Sequence, residues 1–229
     1  MTPFGGVLRM GDRRPCHAST VLVQPHFAIE DPAEIRRIVD ENGWATLVSG
    51  GEEGLRATHL PCLLGPEGSG GELVVLGHTA RADPQSADLM QGRDVLLVFE
   101  GPNGYVSPRW YDGAPAVPTW NYVAVHVHGR PELLPPDEGF ELLLRTIDHF
   151  EMAFEDPWRP DEGSMDYARR IAPGTVPFRV RAQRVEAKAK LSQNKPVDVR
   201  RGVAEGLNAA GPGGQPGLAA EMRRSLECG

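Results

Sequence analysis

The sequence predicts an antiparallel β-barrel with peripheral helices. Three observations predict it: short segments rich in β-forming residues follow one another, glycine-rich turns separate them, and most helical patterns come late in the chain. This order fits an antiparallel barrel better than a sheet built from βαβ units. With 229 residues, the chain is long enough to bury the core of one domain without disulfides or metals.

The first helix is predicted to begin after Asp31. Asp31 is a good N-cap, Pro32 suits the first helical position, and Glu34 stands where a capping box needs an acidic residue. An apolar stripe follows, and Gly43 supplies the stop signal. Further helices are predicted at residues 83–90, 140–154, 162–171 and 196–207.

The strands are predicted from β-forming runs and from alternation. They cover residues 44–49, 55–64, 73–77, 94–99, 105–111, 122–129 and 176–182. In the run 122–129, valines alternate with alanine and histidine, and this period of two is typical of a half-buried strand. Glycines at 50, 51 and 54 separate the first two strands as a hairpin requires.

The two ends of the chain differ from its middle. Residues 1–20 contain glycines and prolines without a hydrophobic period, so we expect a disordered extension, with periodic sequence starting at Val21. Residues 208–217 are rich in glycine and proline, so we expect 208–229 to be a flexible tail with a weak terminal helix. The folded, cofactor-binding domain is therefore expected over residues 21–207.

Charge and cysteine content bear on the class of protein. A net charge of -7 and a pI near 5.5 argue against a broad nucleic-acid-binding face. Cys16, Cys62 and Cys228 are far apart and odd in number, which predicts free thiols in a reducing compartment, with Cys62 in the core. No apolar run is long enough for a membrane span and no signal-peptide pattern is present, so we expect a cytoplasmic protein.

Two segments offer ligand-binding groups near the middle of the chain. His59 is expected on the opposite strand face from Thr58, either bonded to a carbonyl or contacting a ligand. In the turn that follows, His78, Thr79 and Arg81 supply an imidazole, a hydroxyl and a fixed cation. Arg81 would suit a phosphate or a structural role equally, and His78 could bind a metal or haem.

Two further segments are candidates. Trp120 and Asn121 could stack on and hydrogen-bond to a flat heterocycle, or they could pack in an aromatic core or interface. The basic run 188–195 could bind a cofactor phosphate or form a solvated face. His126 and His128 share a strand face, but no third metal ligand has suitable spacing. No phosphate-binding loop, dinucleotide fingerprint, zinc-finger spacing or nucleophile elbow occurs.

Six blocks of the sequence, in order, resemble the PaiB family. They read QPHFAIEDPAEIRRIVDENGWATLVS, ATHLPCLL, GHTARADPQ, VFEGPNGYVSPRWY, VPTWNYVAVHVHG and KAKLSQNK…RRGVAEGL. The resemblance runs from about Val21 to Leu207. It implies a split β-barrel, like the pyridoxamine-phosphate oxidase and flavin-reductase-like proteins, that forms a homodimer with FMN at the subunit interface. It also implies a negative transcriptional regulator.

The resemblance turns the residues above into candidate contacts with the cofactor. They are Thr58, His59, His78, Thr79, Arg81, Trp120, Asn121, Lys190, Ser192 and Gln193. The family block often reads GPHAYVSP, with a histidine where this chain has Asn103, so a cofactor contact there would differ. No residue is assigned a catalytic role.

The family also includes piperazate synthases, which are haem enzymes that close an N–N bond in an N-hydroxylated ornithine. That alternative makes haem b the cofactor and His78 the axial ligand. A third alternative is an FMN-dependent oxidoreductase, for which no dedicated acid–base pair stands out. Direct DNA binding is doubtful for so acidic a chain, and a regulatory effect could run through a partner or a metabolite.

Overall fold

The computed structural model describes residues 24–51, 54–111, 117–209, 211 and 213–227. Six antiparallel strands close into a barrel in the order β1-β2-β3-β6-β5-β4. The strands are β1 (Trp44–Gly51), β2 (Gly54–Leu64), β3 (Val74–Ala80), β4 (Val95–Val106), β5 (Thr119–Leu133) and β6 (Thr175–Lys190). The predicted antiparallel barrel with peripheral helices is confirmed.

Six α-helices accompany the strands in the described ranges. They are α1 (Pro32–Glu41), α2 (Ser86–Met90), α3 (Pro136–Glu151), α4 (Glu162–Ile171), α5 (Val197–Asn208) and α6 (Pro216–Glu227). Short 3₁₀ turns lie at Pro25–Phe27, Pro108–Trp110 and Ala172–Gly174. None of the helices in the described ranges has the length and apolar character needed to cross a bilayer.

The start of α1 follows the sequence signal in part. The Asp31 side chain accepts a hydrogen bond from the Ala33 amide at 3.0 Å, and Pro32 is the first helical residue, as predicted. Glu34, however, accepts from the guanidinium of Arg37, at 2.7 Å from Nη2. The ion pair one turn along the helix takes the carboxylate that a capping box would use.

Strands β4, β5 and β6 are longer than the local patterns predict. The segment 105–111, predicted as a separate strand, is the end of β4 followed by the 3₁₀ turn at Pro108–Trp110. A bulge between Glu100 and Asn103 interrupts the pairing of β4 with β5, next to a proline that has no amide to donate. The last third of β6 is paired with β5 as far as Lys190, a long-range contact that local patterns do not reveal.

The predicted terminal helix is present, but it is packed against the barrel, so the prediction of a flexible tail is wrong for residues 216–227. Residues 216–227 form helix α6, and Leu218, Ala219 and Met222 are buried in the main core cluster. Glu221 of the same helix is bonded to Arg37 of α1 at 2.9 Å. The apolar face of α6 is buried against the barrel, and this burial holds the helix in place although the residues before it are rich in glycine. The extension predicted at residues 1–20 lies outside the described residues, as do Cys16 and Cys228.

The barrel interior is filled by side chains that alternate along the strands. Val123, Val125 and Val127 of β5 are buried while the residues between them are half-exposed, which confirms the predicted period of two. Phe99 and Phe178 are fully buried in the same cluster. The interior is therefore packed, and any ligand site must lie on the outer surface or at the ends of the strands.

Candidate functional site

The ten candidate residues fall into two groups in the structure. The first group lies on β2 and at the end of β3: Thr58, His59, His78, Thr79 and Arg81. The second lies at the start of β5 and the end of β6: Trp120, Asn121, Lys190, Ser192 and Gln193. In the described part of the chain, no hydrogen bond, ion pair or ring contact joins a member of one group to a member of the other.

In the first group, the β2 residues point to opposite sides as predicted. The hydroxyl of Thr58 donates to Asp83 Oδ2 at 3.2 Å, which ties β2 to the turn after β3. His59 is exposed, its Nδ1 lies 3.0 Å from the hydroxyl of Thr46, and its ring stacks on Trp44 with centroids 6.3 Å apart. His59 thus forms part of an outward-facing aromatic surface.

His78 is half-buried on β3, where it pairs with Pro177 of β6. Its Nδ1 is buried and has no hydrogen-bond partner in the described residues. Burial lowers the pKa of His78 below that of an ordinary imidazole, because the charged form would lose its hydration. A neutral ring with a buried, unpartnered nitrogen is unusual and makes His78 a candidate for contact with a ligand.

Arg81 is fixed in place by backbone groups. Its Nε donates to the carbonyl of Pro173 at 2.9 Å, and its Nη2 donates to the carbonyl of Thr175 at 3.0 Å. Within the described ranges it forms no ion pair with a carboxylate, so its positive charge is not neutralised locally. Thr79, by contrast, is buried and donates to the carbonyl of Ala80, which gives it a structural role.

In the second group, Asn121 points into the core. It is fully buried, and its Nδ2 donates to the hydroxyl of Ser192 at 2.9 Å. Its Oδ1 is buried without a partner among the described residues. Ser192 has φ of 63°, the left-handed region that only a few non-glycine residues occupy. The pair therefore joins the start of β5 to a strained loop that leaves β6.

Lys190 and Gln193 are held by neighbours in the same loop region. Lys190 Nζ donates to Thr119 Oγ1 at 2.6 Å. The Gln193 amide accepts from the Leu191 backbone at 2.7 Å and donates to the carbonyl of Ala189 at 2.6 Å, so both of its ends are used to close the loop. Gln193 shapes the site, whereas Lys190 presents a cation to it.

A pocket of about 460 Å³ opens beside this loop. Its walls include the side chains of Phe27, Tyr111, Thr119, Lys190, Ser192 and Lys195. The Lys195 ammonium lies 5.7 Å from the centre of the Tyr111 ring, within cation–π range. Aromatic walls and two lysines suit a ligand that has a flat ring and an anionic group, and the volume falls in the range of small-molecule sites.

Four of the six wall residues named above are absent from the sequence-based candidates: Phe27, Tyr111, Thr119 and Lys195. Lys195 belongs to the basic run 188–195, so the sequence could have identified it as a candidate contact by its charge. Phe27 and Tyr111 come from distant segments, and Phe27 reaches the pocket because its neighbour Ala28 bridges to Lys188 of β6. Only the fold brings these rings to the lysines.

Trp120 stands on the outer face of β5, opposite Tyr105 of β4. Its side chain is 52% exposed, and its Nε1 donates to Asn103 Oδ1 at 3.2 Å. The same face continues to His126 and His128, as their spacing predicts. His128 Nε2 lies 3.0 Å from a Glu186 carboxylate oxygen.

The two groups are far apart along the barrel. His78 pairs with Pro177 at the start of β6, and Lys190 ends the same strand thirteen residues later. At roughly 3.3 Å per residue, this is about 40 Å of strand. The first group therefore lies near the start of β6 and the second group near its end.

Comparison with known proteins assigns the chain to a family. A family model described as "Putative FMN-binding domain" matches residues 21–184, which is more than half of the chain. The chain belongs to this family. The assignment supports FMN as the cofactor and covers the first group of candidates together with Trp120 and Asn121. Lys190, Ser192 and Gln193 lie beyond the matched residues.

Relatives of the family cover most of the chain. "Protease synthase and sporulation protein PAI 2" of Bacillus subtilis is 34% identical over 173 residues, 76% of this chain and 82% of that protein. This match confirms the resemblance to the PaiB family. An uncharacterised protein of Emericella nidulans is 28% identical over 192 residues, 69% of this chain and 76% of that protein.

Solved structures show the same fold at low sequence identity. The flavocytochrome Anf3 of Azotobacter vinelandii is 17% identical, with a TM-score of 0.56 over 73% of this chain and 72% of that one. The FAD- and heme-binding protein of Mycobacterium smegmatis is 14% identical, with a TM-score of 0.56 over 74% of this chain and 76% of that one. These likenesses concern the fold, and they agree with the expected flavin-binding split barrel.

Proposed function

We propose that this protein binds FMN in the pocket beside the β6 loop, with the phosphate held by Lys190 and Lys195. The observation that carries the proposal is the combination of two lysines with the aromatic rings of Phe27 and Tyr111 in one pocket of about 460 Å³. Flavins offer a flat ring system and an anionic phosphate, which these two kinds of side chain recognise. When bound, FMN would supply redox chemistry that the side chains cannot provide.

The residues present fit such a group. The left-handed backbone at Ser192 turns the chain out of β6 and keeps the hydroxyl of Ser192 near the pocket. Thr119 holds Lys190 through its hydroxyl, so the ammonium is already oriented before a phosphate arrives. A cation that is oriented in advance loses less conformational entropy on binding.

A second copy of the chain would complete the site. His78 pairs near the start of β6 and Lys190 ends that strand, so we infer that the first group of a second copy lies beside the pocket. Outward-facing Val48, Leu96 and Val98 lie side by side on β1 and β4 and are half-buried, which offers an apolar face for self-association. The proposed assembly is therefore a homodimer with shared cofactor sites.

The first test is a titration of purified protein with FMN, followed by flavin absorption and fluorescence. We expect saturable binding that weakens about tenfold or more in Lys190→Met and in Lys195→Met, because each variant removes a cation from the phosphate site. Arg201→Met is the matched control, since Arg201 is an exposed cation of the same basic stretch that does not line the pocket. Equal binding by all four proteins would refute the proposed site.

Shared sites predict complementation between two defective variants. Arg81→Ala and Lys190→Ala should each bind FMN poorly. When the two are unfolded together and refolded as a mixture, half of the dimers are mixed, and each mixed dimer contains one intact site. We expect recovery of about a quarter of the sites. A mixture that binds no better than its components, with both variants dimeric by sedimentation, would show that the sites are not shared.

We propose that any regulatory role acts through a protein partner or a metabolite. The Bacillus subtilis relative is called a protease synthase and sporulation protein, which agrees with a regulatory role. The net charge of -7 disfavours direct DNA binding. A gel-shift titration against the DNA upstream of its own coding sequence should show no salt-sensitive complex at micromolar protein. A sequence-specific complex would overturn this proposal.

Haem is the second candidate cofactor, and His78 is the observation that favours it. A half-buried imidazole with lowered pKa stays neutral near pH 7 and can ligate iron. Adding hemin should then produce a sharp Soret band that His78→Ala abolishes and the control His59→Ala retains. A spectrum that is unchanged in His78→Ala would exclude His78 as the ligand.

A further inference from the structure

We propose that the cavity between α3, α4 and the start of β6 is a second ligand site, which takes a small monocarboxylate with an apolar body. The cavity has a volume of about 550 Å³, which falls in the range of small-molecule sites. None of the described residues that line it also lines the pocket beside the β6 loop. All of these walls come from one copy of the chain, so this inference is independent of the proposed function.

Arg81 supplies a cation that is fixed before any ligand binds. Its Nε donates to the carbonyl of Pro173 at 2.9 Å and its Nη2 to that of Thr175 at 3.0 Å, and both of these residues line the cavity too. The backbone amide of Arg81 donates to the carbonyl of Gly174 at 2.8 Å, which ties the residue to the same turn. Within the described ranges no carboxylate is paired with Arg81. A guanidinium that is oriented in advance binds an anion with less loss of conformational entropy.

Arg169 of α4 supplies a second cation. Its guanidinium carbon lies 5.8 Å from the centre of the Phe140 ring, within cation–π range, so the charge stands over an aromatic wall of the cavity. Arg169 is also paired with Asp166 at 3.2 Å, but both side chains are exposed, and exposed ion pairs contribute little to stability. A ligand carboxylate can therefore replace Asp166 at small cost.

The rest of the lining selects for an apolar body and a single charge. Leu134, Leu143 and Pro177 are half-buried and line the cavity. Asp137 and Glu141 of α3 line it as well, so two acids balance the charges of the two arginines. These acids disfavour a ligand with several negative charges, such as a nucleotide. One carboxylate, by contrast, can lie next to an arginine while the apolar part of the same ligand covers the leucines.

The walls of the cavity are held by backbone contacts. A Cβ atom at Gly139 would collide with the ring of Pro177, so α3 approaches the start of β6 closely here. The Leu134 amide donates to the carbonyl of Pro177 at 3.0 Å, and the Thr175 hydroxyl donates to that of Ala172 at 2.7 Å. These contacts fix the helix and the turn that form two of the walls, so the cavity is formed before a ligand binds, as is usual for small-molecule sites.

The experiment measures the binding of hexanoate and phenylacetate to the full chain without FMN, by isothermal titration calorimetry. Hexanol and phenylethanol are the neutral probes of matched shape. We expect both carboxylates to bind saturably, and each alcohol to bind about fivefold more weakly than its acid. Arg169→Met should weaken the binding of the carboxylates about fivefold and leave that of the alcohols unchanged, because it removes a charge and keeps an apolar chain. Arg170→Met is the matched control, since Arg170 is the next residue of α4, is exposed and does not line the cavity.

Four results would overturn the proposal. They are no saturable binding of either carboxylate up to about 10 mM, equal binding of the acids and their alcohols, equal affinities in Arg169→Met and Arg170→Met, and a loss in Arg169→Met that affects acids and alcohols alike. Urea unfolding of both variants checks that they are folded. Arg81 is left unaltered because it also belongs to the first group of candidates. Since no measurement involves FMN, failure of this site and failure of the proposed flavin site are told apart.

Discussion

The amide of Asn121 donates to the hydroxyl of Ser192 at 2.9 Å, inside the core of the barrel. The two residues are 71 positions apart in sequence. Asn121 starts the buried side of β5, and Ser192 has the positive φ that turns the chain away from β6. Through this bond, the loop that presents Lys190 and Lys195 is tied to the barrel interior.

Asn121→Ala should therefore lower the free energy of unfolding and weaken FMN binding together. Without the Asn121 amide, the buried hydroxyl of Ser192 has lost its hydrogen-bond partner, which should lower the free energy of unfolding by about 1–3 kcal/mol. Urea unfolding followed by circular dichroism measures the first effect, and FMN titration measures the second. Ser192→Gly breaks the same hydrogen bond but suits the positive φ, so it should lower stability less than Asn121→Ala does. Normal stability in Asn121→Ala would contradict this account.

Helix α6 should be required for stability. Leu218 is 1% exposed and packs in the main core cluster, so Leu218→Ala removes buried apolar atoms and is expected to cost about 2–5 kcal/mol. Arg223→Ala, on the exposed side of the same helix, should change the free energy of unfolding by less than about 0.5 kcal/mol. Urea unfolding curves measure both free energies of unfolding. Equal midpoints for the two variants would show that the packing of α6 contributes little to stability.

Asp88 should make stability depend on pH in the acid range. It is 2% exposed, and its carboxylate accepts from Ser49 at 2.7 Å and from Arg56 at 3.2 Å. The hydrogen bond from Ser49 and the nearby arginines hold the pKa of Asp88 below its usual value. The lowered pKa means that the carboxylate stabilises the fold above the ordinary pKa of about 3.9, and that this contribution disappears as the pH falls through the lowered value.

Asp88→Asn is therefore expected to be less stable than the unaltered protein at neutral pH, with a difference that shrinks below about pH 4. Urea unfolding across this range measures the difference. Asp94→Asn is the control, because Asp94 pairs with Arg130 on the exposed surface, where ion pairs contribute little. A difference between Asp88→Asn and the unaltered protein that does not vary with pH would argue against an ionised Asp88.

Cys62 should be chemically inert in the folded protein. It is 2% exposed, and burial raises the pKa of its thiol to about 12, so almost no thiolate forms near neutral pH. In a variant with Cys16 and Cys228 replaced by serine, iodoacetamide should label Cys62 only after denaturation, as read by intact mass. Rapid labelling of the native protein would mean that this part of the barrel opens easily.

Local patterns predicted several elements because their signals are local. The Asp31 cap with Pro32 marks the start of α1, and the alternation of β5 marks its buried face; both depend on neighbours within a few residues. The length of β6 and the packing of α6 could not be predicted in this way. Lys188 and Lys190 look like solvated cations in sequence, yet they end a strand because β5 pairs with them.

For the candidate site too, the sequence predicted the residue types and the fold decided their positions. The sequence pointed to the basic run and to the Trp120–Asn121 pair as possible ligand contacts. In the fold, however, Trp120 and Asn121 have different roles. Asn121 faces inward to hold Ser192, whereas Trp120 faces outward beside Asn103. Which side a strand residue faces depends on register, and register is set by pairing with residues that are distant in the chain.

By itself, the sequence determined the antiparallel character of the fold, the resemblance to the PaiB family and the residue types available for a flavin. Those features follow from local periodicity, turn residues and short motifs. Only the tertiary structure decided that the ten candidates form two separate groups, that Phe27 and Tyr111 join the lysines, and that α6 is part of the core. These three features depend on pairing and packing between residues that are distant in sequence. Burying their apolar side chains against one another is favourable, and no local pattern shows which residues will meet.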